Sequence, residues 1–152
     1  MSFAANRPLE ILVCNDDGIT AGGIIALATV AQEFGNVTVV APDGPQSGMG
    51  HAISIGRPLR LNIHHFPTNA RAWACSGTPV DCVKLARAEI YKGKPDLVLS
   101  GINHGANSSI SVLYSGTMSA AVEGAIENIP SIGFSLCDYS SVADFSVAQV
   151  VA

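Results

Sequence analysis

Asn15-Asp16-Asp17-Gly18 follows directly on the apolar run Leu9-Glu10-Ile11-Leu12-Val13-Cys14. Two adjacent carboxylates at the exit of a buried strand repel each other and resist desolvation. Such a pair needs a cation, a shared proton or basic partners. Basic partners are scarce, with 8 Lys and Arg in 152 residues, so a hard divalent metal is the leading neutraliser. Polar groups follow two other apolar runs. Asp43, Gln46 and Ser47 come after Val37-Thr38-Val39-Val40-Ala41, and Ser100, Asn103, His104 and Asn107 come after Leu97-Val98-Leu99. Together they offer carboxylate, hydroxyl and amide oxygens, which suit Mg²⁺, Mn²⁺ or Ca²⁺ rather than Zn²⁺.

Two triplets add anion-binding potential. Ser115-Gly116-Thr117 and Ser76-Gly77-Thr78 each precede a helical pattern, so each offers free N–H groups at a positive helix end. Metal plus helix N-termini can hold a phosphate where basic residues are few. The chemistry this suggests is metal-assisted hydrolysis of a phosphate ester. The ion would polarise the phosphoryl oxygen and acidify a bound water, and a carboxylate would take the proton.

These residues need elements that deliver them to one place. Short apolar runs at 9–14, 37–41, 70–75, 96–100 and 131–136 read as strands, and 53–63 as an extended or hairpin segment. Helical spacing of Ile24, Leu27, Ala28 and Ala31 predicts a helix over 20–34. Thr78 as N-cap and Pro79 at the first helical position predict a helix over about 78–91. An Ala-rich helix covers 116–127, residues 101–114 form a loop, and Ser141 begins a last helix. Alternating strands and helices, with near-continuous apolar strands, indicate an α/β fold: a doubly wound, mostly parallel sheet with helices on both faces. Ligands in such sheets bind at the carboxyl ends of the strands.

Bulk properties exclude other classes. A net charge of −4 without a Lys/Arg cluster argues against a nucleic-acid polymer as partner. No apolar run approaches the ~20 residues that span a membrane. Met1 to Pro8 lacks the basic and apolar regions of a signal peptide. Cys14, Cys75, Cys82 and Cys137 form no metal spacing and read as free thiols in a reducing cytoplasm. The pattern at 143–152 stops without a cap or charged tail, which suggests a chain that continues in its parent protein.

Five motifs, in order, carry a family resemblance. They are Asn15-Asp16-Asp17-Gly18; Ala41-Pro42-Asp43 with Ser47-Gly48; Gly77-Thr78-Pro79-Val80-Asp81-Cys82; Ser100-Gly101-Ile102-Asn103; and Tyr114-Ser115-Gly116-Thr117. From about Ile11 to Leu136 the chain resembles the SurE family of metal-dependent 5′/3′-nucleotidases. The resemblance implies a Rossmann-like fold, a Mg²⁺ or Mn²⁺ cofactor and release of phosphate from nucleoside monophosphates. Some members also act on short polyphosphate. It implies metal ligation by Asp16, Asp17, Ser47 and Asn103, catalytic roles for Asp16 and Asp17, and phosphate contact by Asn103, Ser115, Gly116 and Thr117. Residues 1–152 then form a single domain of this type without the family's C-terminal extension of roughly a hundred residues. In the full-length family that extension serves homodimer or homotetramer assembly.

Plainer readings stand beside each assignment. Asp17-Gly18 alone makes a good solvated turn. Ser47 alone suits a Gly-rich loop, Asn103 and Asn107 suit Asx-turns, and Ser115-Gly116-Thr117 suits an N-cap with nothing bound. His104 is the one histidine beside a proposed ligand, and Tyr114 adjoins the phosphate triplet. There is no G-x-S-x-G, no G-x-x-x-x-G-K-[ST] and no complete dinucleotide fingerprint. A D-x-D phosphatase would separate its carboxylates, which here are adjacent. A receiver-type domain also binds Mg²⁺ through an acidic pair but needs an Asp where Ser100 stands and a later Lys, and none follows Lys94. A chain that binds metal or nucleotide without turnover is the alternative from a different class.

Overall fold

The computed structural model describes residues 7–140 and 142–152. Met1–Asn6, within the stretch that lacks signal-peptide regions, and Ser141, expected to begin the last helix, lie outside the described residues. Six strands form one sheet: β1 (Leu9–Cys14), β2 (Gly35–Pro42), β3 (Leu61–Ile63), β4 (Arg71–Cys75), β5 (Leu97–His104) and β6 (Ser131–Leu136). Their order across the sheet is β3-β4-β2-β1-β5-β6. All neighbours are parallel except β3, which pairs antiparallel with β4 at one edge.

The helices are α1 (Gly22–Ala31), α2 (Pro79–Leu85), α3 (Gly116–Ile126) and α4 (Ser146–Val151), with a π-turn at Ala86–Ile90 and a 3₁₀ segment at Ser109–Tyr114. Strand side chains alternate between the faces, so β1 feeds two cores. Ile11 and Val13 pack with Ile24, Leu27 and Ala28 of α1, and Phe145 and Ala148 next to or in α4 join that face. Leu12 and Cys14 pack on the other face with Cys82, Val83 and Ala120 from α2 and α3. Strands buried on both faces explain why the sequence shows runs rather than alternation. Each fully buried Ile or Leu contributes about 1.5–3 kcal/mol.

The expected layers are present, and the differences are local. Helix α1 is shorter than 20–34. Ala21 offers no capping side chain, and Phe34 turns out to solvent at 61% exposed. Gly23 sits where a Cβ would lie 1.9 Å from the Ile102 carbonyl oxygen, which lets α1 settle directly on β5. Of 53–63 only Leu61–Ile63 is strand, because it alone pairs with β4. The helix expected to reach Tyr91 is regular to Leu85 and then widens into the π-turn, closed by the Tyr91 N–H on the Ala86 carbonyl. Its start matches expectation, with a reciprocal cap between Thr78 and Asp81. The loop expected at 101–114 is partly ordered, since β5 continues to His104 past an irregularity between Ser100 and Asn103. The last helix begins at Ser146.

The chain runs from β1 outward to β2 on one side and later to β5 on the other. The switch point of this doubly wound sheet therefore lies between β1 and β5, where the carboxyl ends leave a crevice. Asn15 to Asp17 leave one lip of it and Asn103 lies on the other.

Candidate metal and phosphate site

The turn after β1 is built by Asn15. This side chain is fully buried, donates through Nδ2 to the Gly18 carbonyl at 2.9 Å and accepts the Gly18 N–H at 3.2 Å. Gly18 sits at φ +102°, a conformation an L side chain rarely takes. The turn sends the two aspartates to different depths. Asp16 is 4% exposed, whereas Asp17 is half-buried and accepts the His104 backbone N–H at 3.3 Å.

Asp16 lies under the first turn of α3. Thr117 Oγ1 donates to its Oδ1 in a short contact, and the Asp16 carbonyl accepts the Gln46 N–H at 2.7 Å. A Cβ on Gly116 would sit 2.6 Å from the Asp16 Cβ, so glycine is what lets the helix approach. Among the described residues, no Lys or Arg pairs with Asp16 or Asp17. Burial pushes the Asp16 carboxyl above its ordinary value. The Thr117 hydroxyl opposes that, and the neighbouring Asp17 charge adds to it.

Asn103 is 8% exposed and its amide is oriented by its own loop. Nδ2 donates to the His104 and Gly105 carbonyls at 2.9 and 2.8 Å. Oδ1 is left facing Thr117 Oγ1 at 3.4 Å, so Thr117 stands between Asp16 and Asn103. Ser47 is exposed on the loop after β2, and Ser115 caps α3 by accepting the Met118 N–H at 3.0 Å. Asp16, Asp17, Ser47, Asn103 and Ser115 line one cleft of about 250 Å³. A larger groove of about 670 Å³ is bordered by Glu10, Gly35 and Arg71. Those are at the amino ends of β1, β2 and β4, the edge of a parallel sheet that does not bind ligands.

The donors in the cleft fit a hard divalent cation. Two carboxylates lack cationic partners, one amide oxygen is aimed inward, and one hydroxyl is free. Among the described residues no group of three or more His, Cys, Asp or Glu could hold an ion. An ion here would need the neutral oxygens of Ser47 and Asn103, as a site for Mg²⁺ or Mn²⁺ does and a zinc site does not.

The chain matches the family model for the survival protein SurE over residues 11–152. The chain belongs to the SurE family. It is 66% identical to the 5′-nucleotidase SurE of Cytophaga hutchinsonii over 142 residues, which is 93% of this chain and 54% of that protein. Identity to the 5′-nucleotidase SurE of Chlorobium phaeobacteroides is 52%, covering 94% of this chain and 55% of that protein. The crystal structure of the SurE protein from Aquifex aeolicus superposes with a TM-score of 0.81 at 42% identity, covering 93% of this chain and 56% of that one. The chain thus spans about half the length of the SurE relatives it matches, and its α/β fold is theirs.

Three features of this SurE-type cleft escape sequence reasoning. Thr117, read as a phosphate contact, has its hydroxyl engaged by Asp16. His104 contributes its backbone N–H to Asp17, while its ring meets Phe145 edge-on at 5.0 Å. Ser111 borders the cleft from the 3₁₀ segment, which a loop reading passes over, together with the 61%-exposed Tyr114, singled out beside the phosphate triplet. The Asp-Asp and Ser-Gly-Thr motifs, with Ser47 and Asn103 after two other apolar runs, signal this neighbourhood in the sequence. Asn107 donates its amide to Ser135 Oγ at 2.9 Å.

Proposed function

We propose that this chain carries the metal- and phosphate-binding half of a phosphomonoester hydrolase that releases phosphate from nucleoside 5′- and 3′-monophosphates. One observation carries the reading: Asp16, Asp17, Ser47 and Asn103 share a single cleft with Ser115 at the head of α3. Family membership supports it, as does the name 5′-nucleotidase given to relatives 66% and 52% identical.

Asp16, Asp17, Ser47 and Asn103 would hold a divalent cation, Mg²⁺ or Mn²⁺. When bound, the cation supplies Lewis-acid polarisation of the phosphoryl oxygen and a more acidic water. Thr117 donates its hydroxyl to Asp16, which favours the carboxylate against the effect of burial and orients it. Asn103 presents Oδ1 because its amide N–H groups are occupied elsewhere. The N–H groups of Gly116 and Thr117 at the start of α3 offer the phosphate a positive helix end. Asp17, the more exposed carboxylate, is the better placed to accept a proton from water. A cytoplasmic setting, one domain over residues 1–152 and homodimer or homotetramer assembly of the longer relatives' type belong to the same proposal.

Phosphate release from nucleoside monophosphates with Mn²⁺ or Mg²⁺ tests it. The wild-type chain should release phosphate and Asp16→Asn should not. Release equal in both would overturn the assignment of Asp16. If neither releases phosphate and only the wild type binds Mn²⁺, the chain is a metal-binding module without turnover. The span of about half a relative's length gives that second reading its standing.

A further inference from the structure

The loop between β2 and β3, residues 43–60, carries Ser47 and has no regular structure. Most of its anchors are backbone groups. The Asp43 N–H reaches the Cys75 carbonyl at 2.8 Å, the Gln46 N–H the Asp16 carbonyl at 2.7 Å and the Gly50 N–H the Tyr114 carbonyl at 3.0 Å. Thr78 Oγ1 donates to the Ala52 carbonyl at 2.6 Å, and the Ser54 N–H meets the Asp81 carboxylate at 3.1 Å. Among the described residues, one side chain of the loop is fastened outside it. His51 Nε2 lies 2.8 Å from Glu123 Oε2 on α3. A carboxylate only accepts, so Nε2 carries the hydrogen.

Glu123 is an unusual acceptor to find on a helix face packed against the sheet. Its side chain is 3% exposed, and Lys84 Nζ of α2 faces its other oxygen at 2.6 Å as a charge contact rather than a well-angled hydrogen bond. His51 is thereby tied to the same helix whose first turn supports Asp16. Among the described residues, the loop bearing Ser47 and the helix bearing Thr117 share this one side-chain link, across 72 residues of sequence. Among the described residues Ser47 has no hydrogen-bond partner, and Gly48 beside it sits at φ +74°. The nearest fixed side chain is therefore His51, four positions on.

We propose that the His51–Glu123 hydrogen bond, together with the Gln46 and Gly50 backbone anchors, positions the Ser47 loop over the cleft, so that cation affinity depends on a pair outside the cleft. The proposal rests on the reading of Asp16, Asp17, Ser47 and Asn103 as cation ligands. His51 is a positioning residue, acting on Ser47 through the backbone of 48–50. Its side chain is 35% exposed, so replacing it empties no core volume.

The test is calorimetric titration of Mn²⁺ into the chain near neutral pH, with thermal melts run in parallel. Asp16→Asn should abolish binding. His51→Ala and His51→Leu, which lack the donor, should weaken it about 10–100-fold, as expected when a group that orients a ligand is removed. His51→Gln keeps a donor and should recover most of the affinity. Full binding by Asp16→Asn overturns the cation reading and this proposal with it. Loss in Asp16→Asn beside unchanged binding in His51→Ala or His51→Leu overturns the positioning role alone. Equal weakening in His51→Gln and His51→Leu also overturns it, since packing rather than the hydrogen bond would then matter. Should His51→Ala fail to fold, His51→Leu against His51→Gln decides.

Discussion

At the scale of the residue, Asp16 is where stability and function oppose each other. Its folded carboxyl lies above the ordinary value, with burial the first cause. Ionisation is harder in the folded chain than in the unfolded one, so the group's contribution is fully present below its unfolded value and is lost as pH rises through the raised folded value. Asp16→Asn keeps an oxygen for the Thr117 hydroxyl and deletes the charge. Its metal-free melting temperature at neutral pH should rise by about 2–4 °C, the shift that ~1 kcal/mol produces in a chain of this size. The same variant should lose the added stability that Mn²⁺ gives the wild type. A melting temperature that falls, or a Mn²⁺-induced shift that persists, would show that the carboxylate is not held at a cost for the sake of a cation.

At the scale of the element, the cleft depends on how closely two backbones approach. Gly116 lets α3 sit against Asp16, and Gly23 lets α1 sit on the Ile102 carbonyl. Gly23→Ala would place a methyl into β5 backbone, which cannot yield as a side-chain tip can. It should cost about 1–3 kcal/mol, the range for overpacking a tight contact, seen as a lower denaturant midpoint. Gly116→Ala should also cost stability, because its methyl meets the Asp16 Cβ at the root of the side chain rather than a tip that can swing away, and it should weaken Mn²⁺ affinity as well. A Gly116→Ala chain with wild-type affinity would show that the α3 approach does not set the carboxylate. The cap of α2 was legible in advance, since Thr78, Pro79 and Asp81 act within four residues of one another. The π-turn after Leu85 was not, because residues 86–90 keep helical composition.

At the scale of the whole molecule, charge is arranged across elements. Burial would raise the Glu123 carboxyl, but Lys84 and then His51 outweigh it and hold it below its ordinary value. Asp96 is likewise lowered, first by Arg7 and then by the Glu10 N–H. A lowered carboxyl adds stability above its unfolded value and loses it as pH falls through the folded one. The chain should therefore lose stability on acidification below about pH 4.5, the region of ordinary carboxyl values. Glu123→Gln should flatten that acid limb in melts recorded at successive pH. An unchanged limb would assign acid sensitivity to other carboxylates.

The sequence by itself determined the α/β class, the positions of most strands and the residue types of the candidate site. Those are local matters: apolar runs, caps within one turn, and carboxylates too close together to be left bare. Tertiary structure alone decided which polar groups meet. Asp16 and Thr117 stand 101 positions apart, and His51 and Glu123 72. The first pair arises where strand order reverses between β1 and β5, the second joins the β2–β3 loop to α3, and no local preference encodes either. It decided the division of labour as well. Thr117 supports Asp16, Asn103 turns its oxygen inward, and Asp17 stays half-open because its neighbour takes the buried place.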